Sequence, residues 1–150
     1  MSADPLGPPE LLALFTQAAK LLREAADDAM SKHGVRVGQH IVLSALWEQD
    51  GLTPGEIARR LGVATPTIVN TATRMEEAGL VSRQPDPSDA RLVRLYLTAA
   101  GRRARKPVRA ARSALERHAT ATLSAGELDS LRSALTKIIA QLSGGLWFAG

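Results

Sequence analysis

A mainly α fold carrying one small β-hairpin is what the sequence predicts, and three observations predict it. Apolar residues recur at helical spacing along most of the 150 residues. The hydrophobic content is 45%, yet aromatics make up only 3%, so the core must be built from Leu, Ala, Val and Ile, which suits helices packed on helices. Only the stretch from Leu80 to Leu97 reads as strand of any note. At this length the chain is about one domain, and residues 1–150 are expected to form a single one.

Met1 to Pro9, rich in proline and small residues, reads as a frayed arm. From Leu11 onward, Leu11, Phe15, Ala18, Leu22, Ala25 and Ala29 recur at spacings of three and four, one face of a long helix that ends near Gly34. A second helix follows a short loop, from about Gly38 to Gln49. Ile41, Leu43, Ala45 and Leu46 supply its apolar contacts, Trp47 is its only large ring, and Asp50-Gly51 closes it.

The next start signal is dense. Thr53 is an N-cap, Pro54 suits the first helical position, Glu56 completes a Thr-x-x-Glu capping box, and Leu52 with Ile57 has the spacing of a hydrophobic staple. This helix runs to about Leu61, where Gly62 ends it. Another begins at once, with Thr65 as the expected cap and Pro66 in the first position, and continues to Gly79. Two short helices joined this tightly form a helix-turn-helix. In the second, Ile68, Ala72 and Met75 share an inward face, while Thr67, Asn70, Thr71 and Arg74 share another that carries no carboxylate. Asn suits adenine, Arg suits guanine and a Thr methyl suits a thymine methyl, so that face is equipped for a major groove. A plain solvated helix face is the competing reading.

Leu80-Val81-Ser82-Arg83 and Leu92 to Leu97 are strand-like, the second alternating Val93, Leu95 and Leu97 with Arg94 and Tyr96. The turn formers between them make a hairpin with a long exposed tip. A basic hairpin beside a helix-turn-helix is a wing. Asp89-Ala90-Arg91, followed by Leu95, Leu97 and Thr98, resembles the wing signature of the MarR family of bacterial regulators. Glu56-Ile57-Ala58, Leu61-Gly62 and Gly79-Leu80-Val81 add further anchors, and Gln39 with Val42-Leu43 resembles the family's preceding helix. The similarity covers nearly the whole chain and is strongest from Leu52 to Thr98. Asn70, at a helix position often basic in the family, departs from the pattern.

After Thr98, the positions Ala104, Val108, Ala111, Leu115 and Ala119 alternate steps of four and three, and Pro107 predicts a bend or a broken first segment. Ser124 and Glu127 form another capping box, from which Leu128, Leu131, Leu135, Ile138 and Leu142 carry one apolar stripe to Gly144. Stripes of this length on the first and last helices exceed what a small winged-helix lobe needs, so burial against a second copy is expected. The resemblance implies the same: residues of about 1–36 and 99–150 as dimerisation helices around a winged helix-turn-helix lobe of about 37–98. It also implies a small-molecule effector bound between dimer helices and lobe, which no residue here identifies.

Charge is placed unevenly. From Arg83 to Arg112, nine basic residues face only Asp86 and Asp89, +7 in 30 residues, while the chain as a whole is +4. A polyanion is the obvious partner for this strip, with a solvated basic helix as the equal alternative for Arg102 to Arg112. There is no cysteine, so disulfides, thiolate metal sites and thiol redox sensing are excluded. His33, His40 and His118 lack the spacing of paired ligands, and no metal or cofactor is expected. No nucleophile elbow, Walker loop or dinucleotide turn occurs, so no enzyme is read. With neither a leader pattern nor a run of 18 apolar residues, the chain reads as soluble and cytoplasmic.

The function expected is therefore a sequence-specific, DNA-binding transcriptional regulator. It would act as a ligand-responsive repressor, a homodimer on a pseudo-palindromic operator in double-stranded DNA. Thr65, Thr67, Asn70, Thr71, Arg74, Arg83, Asp89, Arg91 and Arg94 are its expected DNA-binding residues. A winged-helix protein-interaction module with its basic strip on an acidic partner is the alternative, since fold alone does not decide function.

Overall fold

The computed structural model describes residues 10–144, so the arm expected at Met1 to Pro9 lies outside the described residues. In order they form α1 (Leu11–Ser31), α2 (Val37–Glu48), α3 (Pro54–Leu61), α4 (Thr65–Glu77), β1 (Val81–Pro85), β2 (Val93–Leu97), α5 (Ala99–Arg103), α6 (Arg105–Ala119) and α7 (Ala125–Ser143). The expected class, mainly helical with a two-stranded wing, is the fold observed. The chain divides into two compact units, up to Leu115 and from Glu116.

In the first unit one core is assembled around α2. Val42, Leu43, Ala45 and Leu46 of α2 join Ile57 and Ala58 of α3, Ile68, Ala72 and Met75 of α4, and Leu95 and Leu97 of β2. Ala26 and Met30 at the end of α1 and Val108 of α6 belong to it, as do Val35, Leu52, Leu80, Val81 and Ala104. Expectation and structure differ within α2: Val42 is buried and Ile41 is exposed. The helix touches α1, α3, α4 and β2, so its buried arc is wider than one stripe, and periodicity cannot locate the edge of so wide an arc.

The start of α3 is built as the capping box requires. Thr53 Oγ1 accepts from the Glu56 backbone N–H at 3.1 Å, and Glu56 Oε2 accepts from the Thr53 N–H at 3.0 Å. Leu52 and Ile57 are both buried, as a staple demands. The start of α4 corrects the sequence reading: Ala64 is the N-cap residue, no side chain caps the helix, and Thr65 is already its first helical residue. Pro66 thus sits second, where its missing N–H is one of the donors that would lack a partner anyway.

β1 and β2 pair antiparallel with Val81 opposite Leu97 and Pro85 opposite Val93. Both strands run two residues or one residue off the predicted limits, β1 reaching Pro85 and β2 starting at Val93. The interruption expected near Pro107 falls between α5 and α6, at Ala104. Pro107 itself occupies the first turn of α6, where it breaks no hydrogen bond. Gly101 of α5 lies against the sheet so closely that a Cβ there would stand 2.2 Å from the Leu80 carbonyl oxygen. Its own carbonyl accepts from Trp47 Nε1 at 2.9 Å, which fixes α5 to α2.

The second unit holds the end of α6 and α7. Ser124 and Glu127 exchange the two bonds of a capping box, at 3.1 and 3.0 Å. No residue of α7 is buried, and Leu131, Leu135, Ile139 and Leu142 are exposed. In the first unit Leu11, Leu12, Leu14, Leu21 and Leu22 of α1 are likewise exposed. No helix among the described residues is long and apolar enough to cross a membrane.

Candidate nucleic-acid interface

Packing orients α4. Ile68, Ala72 and Met75 face α3 and α2, so Thr67 and Asn70 are presented on the opposite, exposed side. Thr65 is exposed at the end of the same helix. Val69 and Thr73 are also exposed and widen this face beyond the four residues the sequence suggested. Their signal was the i, i+4 spacing beside Asn70, masked by an apolar valine. Thr71 and Arg74 sit on the flank, Thr71 partly buried, where they line a cleft of about 430 Å³ with Arg23, Glu24 and Asp27 of α1 and Arg36 to Gln39 at the start of α2. Arg36 is held there by Asp27 at 2.7 Å.

The wing arginines separate into one that is exposed at the tip and two that are engaged with other elements. Arg91 at the tip has a side chain 92% exposed, and among the described residues it pairs with Asp89 at 3.2 Å. Asp89 Oδ1 also accepts from the Arg91 backbone N–H at 3.0 Å, a turn-stabilising role. Arg83 instead lies on α4: its guanidinium donates to Thr73 Oγ1 and to the Val69 carbonyl, and its backbone N–H donates to Glu76 Oε2 at 3.2 Å. Arg94 turns inward. Its Nε donates to Asp86 Oδ2 at 2.5 Å and its Nη1 to the Gly51 carbonyl at 2.8 Å. Arg83 and Arg94, both expected among the DNA-binding residues, each place the guanidinium against acceptors of the protein itself.

Asp86, which sequence reading counted only as a charge, is buried. The Ser88 hydroxyl first, then Arg94 and the backbone N–H groups of Ser88 and Asp89, hold its carboxyl well below the usual carboxylate range against the opposing effect of desolvation. The same contact with Asp86 raises Arg94 above its ordinary value. The signal lay in Asp-Pro-Ser-Asp, an aspartate two residues before a serine in a turn. Among the described residues no group of three or more His, Cys, Asp or Glu side chains is placed to hold a metal ion.

Comparison with known proteins agrees with this architecture. Residues 36–93 match the pattern described as the MarR family. The transcriptional repressor Rv2887 of Mycobacterium tuberculosis is 31% identical over 126 residues, covering 83% of this chain and 90% of that protein. TtmR of Methylorubrum extorquens, an HTH-type transcriptional regulator, is 35% identical over 85 residues, 57% of this chain but 44% of its own length. Among solved structures, the Staphylococcus aureus MepR–DNA complex superposes with a TM-score of 0.80 at 25% identity over 89% of this chain and 99% of that one. CouR from Rhodococcus jostii RHA1, bound to p-coumaroyl-CoA, gives a TM-score of 0.69 at 28% identity over 83% and 88%.

Proposed function

Because the chain belongs to the MarR family of winged helix-turn-helix transcriptional regulators, which bind DNA and are not enzymes, we propose that it acts as a homodimeric, ligand-responsive repressor on a pseudo-palindromic operator. One observation carries the reading: Thr67 and Asn70 on α4 and Arg91 on the wing are exposed polar groups that two elements present from the same lobe. α4 enters a major groove, where Asn70 and Thr67 meet base edges. Arg91 enters the flanking minor groove, where the negative potential attracts a guanidinium. Arg74 contacts the strand beside Thr71, while Arg83 and Arg94 hold the wing.

Dimerisation uses the helices of about 1–36 and 99–150, whose exposed leucines need a partner surface. Two such heads read half-sites ~10 bp apart or a multiple of it. The cleft lined by Arg23, Arg36, Thr71 and Arg74 touches the flank of α4, which supports it as the place where an effector acts. CouR, bound to p-coumaroyl-CoA, is a structural relative with a ligand. In vitro selection of bound duplexes tests the whole reading. Enrichment of a two-fold symmetric motif with that spacing is the expected result, and enrichment of asymmetric or unrelated duplexes overturns it.

A further inference from the structure

We propose that Asp86 and Arg94 are a positioning pair, which does not touch DNA but bolts the wing tip to the turn before α3 and so aims Arg91. The inference rests on the assignment of Arg91 to the minor groove.

An isolated two-stranded hairpin is marginally stable and free to swing. Here its base is tied down by backbone: Gly51 N–H donates to the Leu95 carbonyl at 3.0 Å, Leu95 N–H to the Leu52 carbonyl at 2.9 Å, and Leu97 N–H to Asp50 Oδ1 at 2.9 Å. Those ties stop at Leu95, whereas Arg91 lies beyond the end of strand pairing at Val93. Arg94 bridges the gap. One edge of its guanidinium grips the Gly51 carbonyl at 2.8 Å and lies 3.8 Å from Glu56 Oε2, and the other meets Asp86 Oδ2 at 2.5 Å. Asp86 Oδ1 then gathers Ser88 N–H and Ser88 Oγ at 2.7 Å and Asp89 N–H at 3.0 Å. Asp89 in turn accepts from Arg91 N–H and Nε at 3.0 and 3.2 Å. An unbroken relay thus runs from the turn at Gly51, beside buried Leu52, to the tip arginine.

Exposure distinguishes the roles. The Asp86 side chain is 5% exposed and that of Arg94 28%, so neither presents its charge to a polyanion as Arg91 does. The planar fork of arginine is needed because two acceptors on different elements are met at a fixed angle, which a lysine ammonium cannot reproduce.

A double-mutant cycle on the full-length protein, binding its selected duplex at fixed salt, tests the pair. Asp86→Asn and Arg94→Lys should each weaken binding about fivefold, with the preference conferred by Asn70 unchanged. Neither should weaken it further in an Arg91→Ala background, because the arginine being aimed is gone. If Asp86→Asn fails to fold, Ser88→Ala, which removes one hydroxyl from the same carboxylate, runs the identical cycle with a smaller expected loss. Wild-type affinity in these variants, or losses that add in full to that of Arg91→Ala, would overturn the positioning role. An Arg91→Ala protein that binds as wild type overturns the minor-groove assignment along with it, so the two failures are distinguishable.

Discussion

In the proposed function Asn70 and Arg91 divide recognition between two grooves, and their separate burdens are measurable. Direct contacts to base edges are worth ~1–3 kcal/mol in discrimination, so Asn70→Ala should narrow the gap between specific and unrelated DNA. Arg91→Ala should weaken both alike and lower the slope of log affinity against log salt by about one. Titration of both variants against operator and random duplexes over a salt series checks this. A loss of sequence preference alone in Arg91→Ala would reverse the groove assignment. His40 carries a different prediction. Its ring bonds Ser44 Oγ at 3.2 Å and packs edge-on to Trp47, and burial first, then the positive Arg112, pushes its pKa down to about 4. A folded value below the ordinary 6.5 means the unfolded chain takes up a proton first as pH falls. The stability that neutral His40 contributes is complete above pH ~6.5 and is lost progressively toward pH ~4. Denaturation at pH 7.5 and 5 should show a larger fall in wild type than in His40→Gln.

Elements are joined here at points where side-chain volume is absent. Gly101 leaves no room for a Cβ beside the Leu80 carbonyl, and the obstacle is backbone, which cannot rotate away. Gly101→Ala must therefore shift α5 off the sheet and disturb the Trp47 bond, at a cost of about 1–3 kcal/mol or more. Urea unfolding of the variant against wild type measures it. Pro107→Ala, by contrast, should leave stability within about 0.5 kcal/mol, because the proline occupies a first turn whose N–H groups have no helical partner.

At the scale of the molecule, surface apolarity is the governing feature. Leu11, Leu12 and Ile139 are more than 60% exposed, with further leucines beside them on α1 and α7. Exposed apolar residues on each of these helices support the proposed dimer interface. Removing residues 124 to 150 should abolish a soluble dimer, and sedimentation velocity of the truncated protein reports the outcome. A well-folded dimer surviving that deletion would place the interface elsewhere.

Local chemistry made much of this protein legible from its sequence. The capping boxes at Thr53 and Ser124, the apolar face of α4 and the turn formers of the wing act within a few residues, so their spacing is their mechanism. The family anchors lie in that same local layer. Tertiary structure decided what depends on several elements at once. Ile41 or Val42 faces the core according to how many neighbours surround α2, and Thr65 yields the cap to Ala64 where α4 meets α3. Above all, a run of positive charge does not reveal which arginines are already satisfied. Arg83 finds its acceptors on α4 and Arg94 finds Asp86 and Gly51, up to 43 residues away in sequence, whereas Arg91, its side chain 92% exposed, has among the described residues no acceptor beyond its own turn. A guanidinium binds whichever acceptor the fold brings within reach, and only the folded chain specifies which one that is.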